Sequence, residues 1–528
     1  MQQAWLTAKW TILSAVFFLL GSVAYAGYLL ESIEWKKPTP REWRFWTRQY
    51  LRMGRLEMTA VQNGTRPLVD WVRVGRRMKE CLERLEDPEI EGQGLLEAGG
   101  DGEKILIADI GRSGFDISAK SYEWRTGYFE SIMGCATAAE HLEHRVLDQT
   151  RGLVFRSEMV VGPSNPDPRP VPGNGSVAPP LEQNVVPAFE RPEIFYMRVL
   201  TGKGFTTDQK LQAVEGYANW LDFKGSPGSA EEMYKWGIDI AKDAMPTPAD
   251  VVLEATTNTL RQDAARDATP NLLRATTGLA VHYARTGNVS AALPILLSVL
   301  RARSNAPVSD FLFSTELNGQ DQDSSAQSDI GQAISWTRRL FKPPQIAPPP
   351  PTGNTPLARP SAQPTCEEGE LMLYIGEIVF ANSQGQSNEG IGWTRQAVRV
   401  AEANIDMLRR RMVASQRSID NLTPEEQKER KKCKECLVAG VQNWETMLEQ
   451  SSARQGSVKN REGGRDAGLL EWKGWFGGDG GVKGAVIDQV EDVSRAEELR
   501  QVQVLRERVV REALEEEDPP PKSLFGFT

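Results

Sequence analysis

Histidine is nearly absent from this 528-residue chain: His141, His144 and His282 are all there is. Imidazole catalysis and zinc coordination both need several such groups to converge. His141 and His144 share one helix face by spacing, but no third ligand lies near them in sequence, so they read as surface histidines. Cysteine is sparse and odd in number, with Cys81, Cys135, Cys366, Cys433 and Cys436 scattered along the chain, which argues against a disulfide framework. Cys433-Lys434-Glu435-Cys436 is a lone CxxC in a lysine-rich helical stretch. It lacks the second pair of a zinc site and the βαβ context of a thioredoxin-like site, leaving a structural or redox-sensitive pair, or two unrelated thiols. Glycine runs such as 477–481 lack the lysine and hydroxyl ending of a phosphate loop. No basic cluster stands clear of acidic neighbours, and the net charge is −9, so nothing recommends nucleic acid as a partner. No catalytic, cofactor-binding or metal-binding residue is assigned, and the expectation is a protein that is not an enzyme.

What is present is helical periodicity. From Thr277 to Leu300, Leu279, Ala280 and Tyr283 fall on one face before a turn at Gly287-Asn288, and Ala292, Leu296 and Val299 follow on the next. Small residues at 280 and 292 allow two antiparallel helices to approach closely, and Gly287 gives the first a left-handed stop. A second copy fits without gaps: Val214, Tyr217, Ala218 and Leu221, then Ala230, Tyr234 and Gly237. A third, looser copy has Met372, Ile375, Gly376 and Val379, then Gly390, Thr394 and Ala397, with two extra residues around Gln384-Gly385. The pattern resembles the tetratricopeptide (TPR) helix-turn-helix repeat, which stacks into a solenoid because one unit cannot bury its own apolar face. Tyr217, Tyr234 and Tyr283 are expected in the core.

Residues 11–30 carry no charge, enough to cross about 30 Å of hydrocarbon as a helix, and predict a transmembrane helix after a short segment, 1–10. A secretory signal cleaved near Ala24-Tyr25-Ala26 and a buried core helix are the alternatives. Lys36, Lys37, Arg41, Arg44 and Arg48 follow the run while only Lys9 precedes it, which by the positive-inside tendency keeps the large C-terminal part in cytosol or matrix. Trp43, Trp46 and Tyr50 are expected to make one aromatic face, packed on the next helix (66–85) or laid on the membrane.

The predicted fold is therefore all-α: an irregular TPR-like α-solenoid with one N-terminal transmembrane helix and proline- or glycine-rich disordered insertions. Helical hairpins are expected over 38–161, including a stripe of Trp124, Tyr128, Ile132, Cys135 and Ala139 on a helix running to Leu147. A disordered insertion at 162–191 follows, then TPR-like repeats over 192–341, in which Thr247 caps an extra helix. A proline-rich linker, 342–365, leads to a last repeat and a charged helix over 366–450. A flexible loop, a terminal helix and a tail complete the chain over 451–528. Within that loop Trp472, Trp475 and Phe476 could dip into a membrane interface, anchor a partner or fold back on the repeats. The sequons at Asn63, Asn174, Asn288 and Asn421 matter only in the secretory lumen.

Together the short N-terminal segment, the single span, PTPREWRFWTRQYLR at 38–52, the divergent hairpins and CEEGELMLYIGEIVFA at 366–381 resemble a fungal mitochondrial family. Its founding member is the TPR adaptor subunit of the inner-membrane AAA protease that faces the intermembrane space (the i-AAA protease). The resemblance covers most of the chain apart from the insertions and tail. It implies a span in the inner membrane and a helical domain in the intermembrane space. It also implies AAA protease subunits and a second membrane adaptor as partners, and handover of unfolded or misassembled client polypeptides. The charges after the span run against that topology, and no arginine-rich, acid-poor presequence precedes the span, so either targeting is internal or the sequence starts late. A TPR import or assembly receptor is the alternative; its basic clamp would have to use Lys210 and Arg274, which are few for the task.

Overall fold

The computed structural model describes residues 9–11, 13–22, 27, 34, 37–61, 66–97, 114–169, 177–308, 352–359, 361–383, 388–414, 422, 424–466, 495–509 and 511. It is mostly helical, and the chain divides into two compact units: Met1–Ala244 with Asp321–Asn354, and Met245–Gln320 with Thr355–Thr528.

In the first unit α1 (Phe45–Met58), α2 (Trp71–Glu86), α3 (Tyr122–Leu142), α4 (Pro192–Thr201), α5 (Thr207–Phe223) and α6 (Pro227–Asp243) each pack on the next in sequence. Val74, Met78, Cys81, Leu82 and Leu85 give α2 a continuous inward stripe, and all five are buried. The stripe expected on α3 is buried along its whole length, from Trp124 to Ala139. Side-chain caps start three of these helices: Asp70 accepts from the Arg73 N–H, Ser121 from Trp124, and Thr206 forms a reciprocal box with Gln209.

Three expectations here are corrected. α1 begins at Phe45, so Trp43 precedes the helix and is not part of a stripe with Trp46 and Tyr50. Its ring turns inward, edge-on to Trp124 at 6.4 Å, while Phe45 and Trp46 stay exposed. α3 stops at Leu142 instead of running to Leu147, because His144 takes a positive φ of 59° and the chain leaves as a strand. That strand, β3 (Arg145–Asp148), pairs antiparallel with β4 (Leu153–Arg156) on one side and β5 (Val185–Pro187) on the other. The region 162–191 is thus not wholly disordered. Val185 and Val186 are β-branched, and their backbone completes the hydrogen bonding of β3. A second, two-residue pairing joins β1 (Leu96–Glu97) to β2 (Phe115–Asp116).

In the second unit the short α7 (Ala249–Val252) precedes α8 (Pro270–Arg285), α9 (Val289–Ser304), α10 (Cys366–Asn382), α11 (Asn388–Ala414) and α12 (Pro424–Asp466). Consecutive members from α8 onward pack on one another. Gly287 adopts φ +83° in the turn between α8 and α9, the left-handed stop expected of it. Thr247 does not cap α7: Pro248 holds the cap position and the helix makes a single turn. The charged helix continues beyond 450 to Asp466, since each added residue extends a ladder that earlier turns have nucleated. The end of the proline-rich linker is docked. Arg359 is 9% exposed and donates to the carbonyls of Ser304 and Gln363, while the Leu357 N–H donates to Ala268 O at 2.8 Å. The terminal helical stretch 495–509 packs through Val502 and Val509, with Trp444 Nε1 donating to Glu498 at 3.0 Å.

Among the described residues no helix is long and apolar enough to cross a membrane. Part of the uncharged run, including 23–26 and 28–30, lies outside those residues, and the described part, 13–22, is helical with Phe17, Phe18, Leu19 and Leu20 exposed. Residues 309–341 of the expected repeat region also lie outside them.

Helix backbones come close together where α10 crosses α11. A Cβ on Gly376 would sit 2.5 Å from Thr394 Oγ1 and 2.9 Å from the Gly390 carbonyl oxygen. Gly376→Ala is therefore expected to destabilise the second unit by about 1–3 kcal/mol through overpacking. Gly392→Ala on α11, where a Cβ meets nothing within 4 Å, should be neutral or stabilising by up to about 1 kcal/mol. Equilibrium denaturation of the two variants separates these outcomes.

Candidate functional site

All three predicted hairpins form. In α5–α6, Val214, Ala218, Ala230, Tyr234 and Gly237 are buried. The Tyr234 hydroxyl donates to Asn219 Oδ1 at 3.1 Å, and a Cβ on Gly237 would meet Val214 at 2.9 Å, so residues that descend α5 meet residues that ascend α6, as antiparallel helices require. Tyr217 is half-buried, stacked between Tyr196 at 5.6 Å and Trp220 at 6.0 Å, and Leu221 lies half-buried at the end of the helix.

In α8–α9, Leu279, Ala280, Ala292, Leu296 and Val299 are buried. Tyr283 is not a core residue: it is half-buried in the last turn of α8, and His282, 2% exposed, takes the inward position beside it. In α10–α11, Ile375, Gly376 and Ala397 are buried with Met372, Gly390 and Thr394, whereas Val379 is half-buried. Most of the signature side chains thus face the hairpins' own interiors, leaving only the remaining helix faces for a partner. Lys210 and Arg274 belong to different units. Lys210 is half-buried on α5, and burial lowers its pKa. Trp472, Trp475 and Phe476 lie outside the described residues.

A charged cluster sits where the chain leaves the uncharged run. The Glu34 carboxylate, 3% exposed, accepts from Arg48 Nη2 at 3.0 Å and Arg52 Nε at 2.7 Å, and from both the hydroxyl and N–H of Thr39. Burial alone would raise its pKa, but the hydrogen bonds from Arg52 and Thr39 outweigh that and hold it at about 2. Beside it Glu130 of α3 receives a two-pronged contact from Arg55 at 2.9 and 2.7 Å, and a third from Lys37 at 3.1 Å. These pairs fasten residues 34–39 to α1 and α3. Sequence reading missed Glu34, because a glutamate four residues beyond an apolar run gives no sign of its partners.

In the second unit Cys366 and Cys433 form a disulfide between the first turn of α10 and α12, a pairing that the sequence does not announce. The CxxC is not a pair. Cys433 points to α10 and Cys436 remains a free, buried thiol whose pKa burial pushes up to about 12. A cavity of about 260 Å³ lies against the disulfide, lined by Arg303, Arg359, Glu367, Lys428 and Lys432 among others. Its charges largely answer one another: Glu367 contacts both Arg303 and Lys432, which overcome its burial and hold its carboxyl at about 2. The arrangement can bind and brace, but it brings no nucleophile next to a base.

His141 stacks on Trp71 with ring centroids 4.0 Å apart, and His144 Nε2 lies 3.3 Å from Lys224 Nζ, so the two do not share a ligand face. Among the described residues no group of three potential ligands could hold a metal ion. With this geometry in hand, neither family models, nor curated proteins, nor solved structures give a match to the chain.

Two outcomes follow. Glu34 has a folded-state pKa below its ordinary 4.5, so its contribution is complete above that value and is lost as pH falls toward about 2. Glu34→Gln should lower stability at neutral pH and flatten the acid limb of a stability-against-pH curve. Non-reducing peptide mapping should recover the linked peptides of Cys366 and Cys433, which stand 67 residues apart. Replacing both by Ser should cost about 4 kcal/mol on chain-entropy grounds, whereas Cys436→Ala should leave the link intact.

Proposed function

We propose that this chain is a membrane-anchored helical adaptor that holds unfolded or misassembled mitochondrial membrane proteins and passes them to the i-AAA protease. The observation that carries this reading is the set of three helical hairpins, with Gly237 against Val214 in one and Gly376 against Thr394 in another. Such hairpins, stacked as TPR-like units, offer an extended polypeptide many modest contacts over a long surface and no chemistry on it.

Two further features support the compartment. The uncharged run 11–30 is long enough for one span of the inner membrane, with the helical part in the intermembrane space. The Cys366–Cys433 disulfide suits an oxidising compartment better than cytosol or matrix.

The test is in isolated mitochondria. A C-terminally tagged chain should resist alkaline extraction, survive added protease while the outer membrane is intact, and be digested once that membrane is ruptured. Crosslinking should recover AAA protease subunits with it. Digestion in intact mitochondria would overturn this reading in favour of an outer-membrane receptor.

A further inference from the structure

The described aromatic residues between 43 and 50 divide into two sets, and one of the two packs in the core. Trp43 is buried against Trp124, and Tyr50 packs on the same core. Phe45 and Trp46 are 66% and 59% exposed, edge to face with centroids 5.3 Å apart in the first turn of α1. Two large rings left in water at the start of a helix are costly unless something covers them.

Their place relative to the run is fixed by Glu34. Phe45, Arg48 and Arg52 stand at i, i+3 and i+7, so they share one stripe of α1. Arg48 and Arg52 are the residues that hold Glu34, which therefore lies on the stripe that Phe45 continues. Leu30, the last residue of the run, is four residues from Glu34, a reach of about 14 Å at most. A bilayer that ends near residue 30 thus has its headgroup region within reach of both rings. The patch is also small. Two aromatic side chains cover about 300–500 Å² at most, well short of the roughly 1,000 Å² that a stable protein interface needs. Phenylalanine and tryptophan at the boundary of a bilayer, by contrast, need no larger footprint.

We infer that Phe45 and Trp46 insert into the phospholipid headgroup region of the bilayer crossed by residues 11–30, and so set the first unit at a fixed angle on the membrane. This rests on the reading of 11–30 as a span. The rings act as a second attachment: Glu34 joins the chain to α1, and the rings join α1 to the lipid. Without them the covalent connection at Glu34 would be the one attachment between the unit and the span.

The test uses the full chain reconstituted in phospholipid vesicles, with a fluorophore on one introduced thiol at a time. The native thiols Cys81, Cys135 and Cys436 are buried and the other two are paired, so Trp46→Cys, Phe18→Cys and Phe223→Cys each take the label at the new position. Phe223, 86% exposed at the end of α5, is the control for surface exposure alone. Lipids that carry a nitroxide at the headgroup should quench the label at position 46, lipids that carry it deep in the acyl chain should quench the label at 18, and neither should affect 223. Quenching at 18 without quenching at 46 would overturn the inference and leave the span standing. No quenching at 18 would overturn the span and the inference with it. Equal headgroup quenching at 46 and 223 would also overturn it, since the unit would then lie on the membrane without regard to these rings.

Discussion

The structure depends on how closely antiparallel helices can approach. Where α10 crosses α11, the space that a β-carbon of residue 376 would fill is occupied by the Thr394 hydroxyl and the Gly390 carbonyl, and where α5 crosses α6, Val214 rests against the bare backbone of Gly237. Approach at that distance lets short side chains do the packing and brings the helix backbones into dispersion contact along their length. It also explains why the signature positions are mostly interior. They set the separation of each pair, and through it which helix faces turn outward.

Charge does a different job from the one that composition suggests. The basic residues after the uncharged run look, in sequence, like a positive flank. In the folded unit Glu34 and Glu130 absorb Lys37, Arg48, Arg52 and Arg55 into short, partly buried pairs. Buried pairs of this kind contribute little net stability relative to apolar packing, but an unpaired partner left behind is costly, so they fix geometry strongly. What they fix is the path of the chain as it enters the first helix.

Much of the helical plan was legible in the sequence because helices and their partners were close in the chain. The stripe from Trp124 to Ala139, the turn at Gly287 and the hairpins at 214–237, 279–299 and 372–397 all rest on spacings of three or four residues, or on a short turn. Long-range pairings were not legible. Nothing local marks Cys433 as the partner of Cys366, Glu34 as the partner of Arg52, or Arg359 as the residue that docks the proline-rich stretch. The strands around Val146 and Val186 were missed for a related reason: a four-residue run that pairs with a segment some forty residues away carries no periodicity of its own. Tyr283 shows the limit of motif matching. It satisfies the repeat spacing, yet falls in the last turn of its helix, so the ring reaches the rim and not the interior.

The disulfide between Cys366 and Cys433 closes a covalent ring that contains α10, α11 and the first turns of α12. A ring cannot be drawn through a narrow pore as one strand; a motor that hauls on either end must swallow several strands abreast or wait for the bond to be cut. If the proposed role beside a protease holds, the chain would resist being consumed by it, and the resistance would come from topology, independent of how strongly its helices pack.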